Sequence, residues 1–419
     1  MESLACPGPR ATSDCSPDGA ARPALGIYAK TASRLLPQGF PGGEVDPETG
    51  EIRGFDPDPI ATRRAERWAL KSAVNHILPT SRTSKCHRFR VPGQAVQVMK
   101  ATEQGRAFYG GLQVCASVWT CPVCAAKITE RRRVELAAAM AVAKARGLHV
   151  RLLTLTVPHA IADPLQTILD RLRKAMRYFS GGKDAVAWRA GLGLVGTVRT
   201  LEVTRGANGW HPHFHVLLLT NHEPTDADVV AGSALWQKVA VRAGLPQPHP
   251  VHGFDLRDGS YASKYVAKWG IETEMTKGHV KQSNGGKGLT PWDLLRTVLR
   301  SEDPAEVVRS KALFAEFSQA FHGARQLVWS PGLKRLLGVG EKSDAELVEA
   351  EEEEAAVFAE LTQDEWRAVY RSNMEAALLS IVERYPNQFH VFLEELMQQS
   401  NSGKRGGQGV KLATRRGKP

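Results

Sequence analysis

The chain has 419 residues and 42% of them are hydrophobic, which is enough for two or three domains with real cores. Its formal net charge of +11 favours a polyanionic partner, although a merely soluble basic protein also fits the charge alone. No run of 18 apolar residues occurs and the N-terminus lacks an apolar signal core, so we expect neither a membrane span nor secretion. Six cysteines, four of them clustered, favour a metal in a reducing compartment over disulfides.

The N-terminal part divides into two segments of different character. Residues 1–60 are rich in Pro, Gly, Ala and Ser without periodicity, and we expect most of them to be disordered. Residues 61–78 carry an amphipathic helical pattern that ends at Pro79.

Residues 61–147 are predicted to combine this helix with a cysteine module. Four cysteines could supply the thiolates of a tetrahedral, structural Zn²⁺ site; they are Cys86, Cys115, Cys121 and Cys124. The C-x-x-C pair alone is also compatible with a redox pair, and His87 competes as a ligand. The alternation between Cys86 and Cys115 predicts a small hairpin.

A long helix is predicted over residues 125–146. It carries Arg131, Arg132 and Arg133. Such a run is usually a solvated helix face, but beside a zinc knuckle in a basic chain it equally indicates phosphate contacts.

The order of elements predicts the architecture of residues 148–275. Apolar, capped and turn-forming stretches follow one another as β-α-β-β-α-β-α. This order is typical of an α+β sandwich, an antiparallel sheet with helices on one face, so the sequence predicts an open face opposite the helices.

The central hairpin of this domain predicts a metal site. Alternation along residues 210–220 places His211, His213 and His215 on one strand face. With Asn208-Gly209 as the turn, Glu202 would lie opposite His215. A carboxylate and two imidazoles with open positions are typical of a catalytic metal site. A solvated polar strand face is the alternative. His211 lies further out, and we expect it to support a ligand or to contact DNA.

A tyrosine helix follows the last predicted strand. Tyr261 and Tyr265 are four residues apart, and Lys264 and Lys268 form a second pair beside them. Packing is the ordinary role of such a pair. A nearby cation would favour the phenolate form, which is a nucleophile.

Three segments follow. Residues 276–340 are predicted as a basic, Gly-rich loop and a helical extension of the core. Residues 341–399 are acidic and are predicted to form a helical module of unknown task. Residues 400–419 are predicted to be a basic disordered tail.

The motifs together resemble those of a known superfamily. The strand 152–157, the pair His213-Phe-His215 and the run Tyr261-Ala-Ser-Lys-Tyr265 resemble the three motifs of the HUH endonucleases, and more narrowly the replication initiators (Rep) of rolling-circle plasmids. The resemblance covers about residues 80–340. Many plasmid initiators have glutamate where this chain has Tyr261, so a two-tyrosine exchange is expected instead.

This resemblance implies a fold and a function. It implies a ferredoxin/RRM-like nuclease domain that nicks single-stranded or hairpin origin DNA, with Mg²⁺ or Mn²⁺ held by Glu202, His213 and His215. Tyr265 would be the nucleophile, leaving a 5′-phosphotyrosine and a free 3′-hydroxyl. Host helicase and polymerase would be partners in the bacterial cytoplasm, and the oligomeric state is not predicted.

Other protein classes share some of these features. A relaxase or a transposase with the same core would share all three motifs. The sequence has no long helicase or transposition region, which weakens both alternatives. A non-enzymatic zinc regulator would need neither the histidines nor the tyrosines, and a cupin-like enzyme would not need the tyrosines.

Overall fold

The computed structural model describes residues 59–102, 105–257, 288–349 and 355–405, together with two short strands nearer the N-terminus. These two strands, β1 (Glu44–Val45) and β2 (Ile52–Arg53), pair with each other inside the segment predicted to be disordered. The rest of that segment up to residue 58 lies outside the described residues. No helix in the described part of the chain combines the length and the apolarity that a bilayer crossing requires.

Eight further strands are described. They are β3 (Val96–Ala101), β4 (Ala107–Gly110), β5 (His149–Leu155), β6 (Leu194–Gly206), β7 (Gly209–Thr220), β8 (Phe254–Arg257), β9 (Leu327–Trp329) and β10 (Ala355–Leu361). The hairpin predicted between Cys86 and Cys115 is β3 and β4.

The described helices are numbered in chain order. They are α1 (Pro59–Ile77), α2 (Arg82–Lys85), α3 (Pro122–Ala145), α4 (Leu165–Gly181), α5 (Lys183–Gly191), α6 (Asp226–Arg242), α7 (Pro291–Arg300), α8 (Pro304–Ala320), α9 (Leu333–Leu336), α10 (Asp344–Glu349), α11 (Gln363–Arg371), α12 (Glu375–Arg384) and α13 (Phe389–Arg405). Helix α6 begins at a capping box, in which the side chains of Thr225 and Asp228 accept hydrogen bonds from each other's backbone N–H groups.

The larger sheet has five antiparallel strands in the order β8-β5-β7-β6-β9. This confirms an α+β architecture with an antiparallel sheet. Strands β5, β6 and β7 form its centre, and β6 and β7 are joined directly as a long hairpin. The histidine-bearing strand is therefore paired along both edges, which fixes its position in the sheet.

The two faces of this sheet bury different helices. One face carries Leu155, Phe214 and Val216 and packs on α4 and α6, which together form the largest core. On the opposite face, Leu217 and Leu219 are fully buried beneath α3.

The prediction of helices on one face only is therefore wrong. The lower half of the histidine face, at Leu217 and Leu219, is apolar. Burial of each of these leucines contributes roughly 1.5–3 kcal/mol to the stability of the fold. Helix α3 covers that half, and the polar side chains of the triad lie on the upper half, outside this apolar cluster.

A second sheet joins distant parts of the chain. Its order is β10-β3-β4, so residues 355–361 are a strand where the sequence predicted only helix. The last three helices then pack with Trp68 of α1 and Tyr109 of β4 in one core. Arg64 of α1 binds Glu383 of α12 through both guanidinium nitrogens, at 2.8 and 2.5 Å. The predicted disordered tail is helical up to Arg405.

We expect Glu375→Gln to make the protein more stable at pH 8 but not at pH 5. Burial raises the pKa of Glu375 to about 7, so the folded state holds a proton that the unfolded state releases above about pH 4.5. Stability therefore falls as pH rises between these values, by up to about 3 kcal/mol. Calorimetric melting at both pH values measures the effect.

The exposed Glu394→Gln in α13 is the matched control and should change neither melting temperature. An equal gain for Glu375→Gln at both pH values would contradict the explanation by burial.

Candidate metal centre

The β6–β7 hairpin turns one position earlier than the sequence predicted. Gly206 pairs with Gly209, so Ala207-Asn208 is the two-residue turn. Gly209 alone has a positive φ, of 94°, while Asn208 does not. This is typical of a type I turn followed by a glycine bulge rather than of the predicted Asn-Gly turn. A Cβ on Gly209 would also lie 2.8 Å from the carbonyl oxygen of Ala160.

The pairing predicted for Glu202 is therefore wrong by two residues. Glu202 lies opposite His213, and Thr200 lies opposite His215. Because side chains alternate with a period of two, an even shift leaves every residue on its predicted face. Glu202 is still on the histidine face, now directly across from one imidazole and diagonal to the other.

These three side chains converge on one point. Oε2 of Glu202 lies 3.5 Å from Nε2 of His213 and 3.5 Å from Nε2 of His215. The three ligand atoms all lie within 4.8 Å of one another. The side chains are only 17%, 12% and 9% exposed, respectively. A carboxylate and two imidazole nitrogens at these separations fit a divalent cation with positions left for other ligands.

The outer nitrogens of both rings are held in place. Nδ1 of His213 is 3.2 Å from the carbonyl oxygen of His211, and Nδ1 of His215 is 3.1 Å from Oγ1 of Thr154. A carbonyl accepts only from an N–H, so His213 carries its proton on Nδ1 and presents Nε2 as a lone pair. Such supporting hydrogen bonds orient metal-binding histidines.

Thr154 was not singled out from the sequence. It lies on β5 opposite His215 and, on its other side, opposite Asp255 of β8. Its position inside the first motif strand was visible, but its role depends on how β5 pairs with β7. That register connects residues 61 positions apart and has no local signal.

His211 lies beside the triad rather than in it. Its ring stacks on His213 with centroids 5.1 Å apart, and its Nδ1 is 3.3 Å from Nδ1 of His159. Burial, followed by the charges of His213 and His159, lowers the pKa of His211 to about 4. A neutral His211 thus flanks the site on the side nearer the turn.

The four predicted cysteines meet in a second cluster. The Sγ atoms of Cys86 and Cys124 are 3.5 Å apart, those of Cys121 and Cys86 3.7 Å, and those of Cys115 and Cys124 3.8 Å. Four sulfurs around an ion with ~2.3 Å bonds would be about 3.8 Å apart. All four thiols are buried and free of disulfides. The spacing therefore fits a tetrahedral metal site.

The four thiols do not ionise equally. Backbone N–H groups of Cys115 and Cys124 donate to Sγ of Cys86 and Cys121 at 3.4 and 3.5 Å. Hydrogen bonds from the other three thiols, Cys121 first, lower the pKa of Cys115. The hydrogen bond with Cys115 raises the pKa of Cys86, and burial raises the pKa of Cys121. Nδ1 of His87 is 3.1 Å from Sγ of Cys86, so this imidazole hydrogen-bonds to a sulfur and is not in the group of four.

Comparison with known proteins finds similarity to replication proteins. A family model described as "Replication protein" (Rep_1) matches residues 111–240, a range that includes Glu202, His213 and His215. The chain is 28% identical over 351 residues to "Protein rep" of Streptomyces lividans, covering 66% of this chain and 77% of that protein. Both similarities are to replication proteins of the Rep type.

A second similarity is more limited. The chain is 29% identical over 147 residues to "Neomycin resistance protein" of Streptomyces cyanogenus, a match that covers 29% of this chain and 34% of that protein. No solved structure matches the chain.

The arginine run on α3 is partly used in ion pairs within the protein. Arg132 pairs with Glu135 at 2.9 Å and with Asp344 at 3.1 Å. Arg133 pairs with Glu130 at 2.7 Å. Arg131 forms no ion pair with the described residues and is half-buried. The structure thus commits two of the three arginines predicted for phosphate contact to intramolecular pairs.

The tyrosine motif lies outside the described residues, which break off after Arg257 and resume at Gly288. This concerns Tyr261, Lys264, Tyr265 and Lys268. The described ends flank the triad. Arg257 ends the edge strand β8, two strands from β7. Leu289 forms an isolated antiparallel bridge with Arg205, and both N–H···O distances are 2.7 Å. Arg205 directly follows Thr204, which lies opposite His211.

Thr154→Val should weaken Mn²⁺ binding by the protein about 10-fold, because His215 loses the hydrogen bond that orients its ring. Titration calorimetry measures the dissociation constant. Thr200→Val is the matched control, since Thr200 lies opposite His215 on the other strand without a hydrogen bond to it in the described structure. Equal losses in both variants, or none in Thr154→Val, would contradict the assignment.

Proposed function

We propose that this Rep protein starts rolling-circle replication of a plasmid by nicking one strand of origin DNA. The observation that carries this proposal is the convergence of Glu202, His213 and His215 on the polar half of one sheet face. The substrate is single-stranded DNA or a strand extruded from an origin hairpin. The basic balance of the chain, +11, suits that polyanion.

The triad would hold Mg²⁺ or Mn²⁺ at the scissile phosphate. A divalent cation there would neutralise charge that develops on the phosphate oxygens. The protein contributes three ligands from two paired strands, and His211 and Thr154 fix the two imidazoles. Carboxylate and imidazole ligands also suit Zn²⁺, so the ligand set narrows the choice of cation without fixing it.

Tyr265 is proposed as the nucleophile on the strength of its sequence motif. It follows Arg257 by eight residues, a span of about 12 Å if helical and up to about 26 Å if extended. Strands β8 and β7 are roughly 10 Å apart across the sheet. The chain between Arg257 and Tyr265 is therefore long enough for the phenol to reach the triad.

The proposed reaction exchanges one phosphodiester for another. The phenolate oxygen of Tyr265 attacks phosphorus, and the bond from phosphorus to the 3′-oxygen breaks. The 3′-oxygen takes up a proton and becomes a free hydroxyl that can prime a polymerase, while the 5′ end stays on the protein as a phosphotyrosine. Positive charge from Lys264 and Lys268 would favour the phenolate. Tyr261 would attack in a second round and allow the strand to be closed.

The cysteine cluster is proposed as a structural Zn²⁺ site. All four positions of a tetrahedron would be filled by protein sulfurs, which leaves none for substrate. The cluster adjoins the first turn of α3, whose later turns cover the lower half of the sheet. The metal would hold the start of that helix. Replication would further need a host helicase and polymerase in the bacterial cytoplasm.

Tyr265→Phe should abolish both nicking of an origin oligonucleotide and the covalent adduct, because no oxygen is left to attack. A denaturing gel with labelled single-stranded DNA and Mn²⁺ shows both products. Tyr261→Phe is the matched variant and should nick normally but rejoin poorly. Normal nicking by Tyr265→Phe would move the nucleophile elsewhere.

The purified protein should retain one Zn²⁺ per chain after dialysis against a weak chelator. Cys124→Ser should lose that zinc and melt at a lower temperature, because three sulfurs no longer close the tetrahedron. Metal analysis by mass spectrometry gives the stoichiometry. Cys15→Ser, in the N-terminal segment, should keep the zinc; zinc retained by Cys124→Ser would rule out the four-cysteine site.

A further inference from the structure

We infer that the surface around Cys86 is a second binding site for single-stranded DNA, separate from the metal triad. This surface, the knuckle surface, consists of Arg82, Lys85, Arg88, Phe89 and Arg90. The inference rests on the proposed function, since it names how the same DNA strand would be held at a second place. It concerns residues that the sequence analysis did not assign.

The knuckle surface carries four cations that have no anionic partner in the part of the chain that the structure describes. Arg82, Lys85, Arg88 and Arg90 are all exposed within nine residues of chain. None of them forms an ion pair with any described residue. This distinguishes them from Arg132 and Arg133, whose charges are neutralised by carboxylates. Closely spaced cations that repel one another and lack protein partners favour a phosphate chain as their counter-ion.

An exposed aromatic ring lies among these charges. Phe89 is 47% exposed, although large apolar side chains are normally buried. The guanidinium of Arg88 lies 5.6 Å from the Phe89 ring and 5.5 Å from the Tyr370 ring. Aromatic rings interleaved with arginines are the pattern on which unpaired bases stack while their phosphates are neutralised. A duplex offers no free base face to such a ring, so the geometry favours a single strand.

The backbone beneath these side chains is fixed. His87 N–H donates to the Gln113 carbonyl, and Gln113 N–H donates to the Phe89 carbonyl, both at 2.8 Å. The indole N–H of Trp366 donates to the carbonyl of Arg88 at 3.2 Å. The chain is further held by Cys86 in the cluster. Only the side-chain ends remain to be ordered when DNA binds, which reduces the entropy lost on association.

A recess of about 660 Å³ opens beside the knuckle surface. Its lining includes Arg82 and Lys85 from the surface, and Gln94 and Gln113 from the facing segments. The two cations can bind phosphates, and the amides can both donate to and accept from base edges. The recess is thus chemically matched to a nucleotide turned out of a single strand.

The test compares two single-stranded oligonucleotides by fluorescence anisotropy on the full-length protein. One covers only the nick site, and the other extends well beyond it. The double variant Arg82→Gln/Lys85→Gln should weaken binding of the long strand. The slope of log Kd against log salt concentration should become shallower by about 1.4, because two phosphate contacts are lost. Phe89→Leu should weaken the long strand about 5- to 100-fold by removing a stacking plane. Binding of the short strand should not change.

Arg309→Gln/Lys311→Gln on α8 is the matched control, because it removes two exposed charges that also lack ion pairs with described residues. It should leave the long strand bound as in the wild type. Metal analysis should show unchanged zinc in every variant, which separates a binding defect from loss of the cluster. Equal loss in this control, or equal loss on the short strand, would overturn the inference. So would wild-type affinity for the long strand in both knuckle variants.

The outcome is independent of whether the protein nicks DNA. If the wild type forms no covalent adduct but the knuckle variants still lose the long strand selectively, the proposed function fails and the binding site stands. If nicking occurs and the knuckle variants bind normally, the proposed function stands and the second binding site is ruled out.

Discussion

The carboxylate of Glu202 is held between the imidazoles of His213 and His215, and most of the larger sheet serves to keep it there. The three ligand atoms lie within 4.8 Å of one another, on side chains that are less than a fifth exposed. Burial removes part of their hydration, and a bound cation would replace the lost water contacts. Strand pairing on both edges of β7 fixes the rings laterally. The apolar face beneath, with Phe214 and Val216 in the main core, fixes the strand against the helices.

The polar and apolar halves of one sheet face have separate tasks. Leu217 and Leu219 lie beneath α3, while His213 and His215, a few residues earlier on the same strand, lie outside that apolar cluster. Helix α3 begins within the cysteine cluster and ends before the tight turn at Gly147, where φ is 73°. One 24-residue helix, about 36 Å long, thus connects the cluster to the sheet. A DNA strand bound at both the triad and the knuckle surface would run past this helix.

Local patterns predicted the faces of strands but not their partners. The identity of the triad was accessible because alternation assigns faces with a period of two, and the two-residue error in register left that assignment intact. The error arose at Gly209, where a glycine bulge follows a type I turn; Asn-Gly alone does not distinguish this from the predicted turn. The four cysteines were accessible from their types and spacing, although the role of His87 was not.

Features that depend on distant pairing were missed. Strand β10 pairs with β3 across more than 250 residues of chain, and its sequence, Ala-Ala-Val-Phe-Ala-Glu-Leu, has no strong alternation. The ion pairs of Arg132 with Asp344 and of Arg64 with Glu383 depend on the same long-range packing. The sequence of the arginine run therefore did not reveal the carboxylates that pair with Arg132 and Arg133, and DNA contact by the run stays a prediction.

The most direct measurement is nicking of an origin strand that carries a single phosphorothioate at the scissile position. If the triad holds a cation against a non-bridging oxygen, sulfur in that position should slow nicking strongly in Mg²⁺, and a thiophilic cation such as Mn²⁺ or Cd²⁺ should restore it. Equal nicking of both stereoisomers and the normal strand in Mg²⁺ would contradict a cation bound to the phosphate by Glu202, His213 and His215.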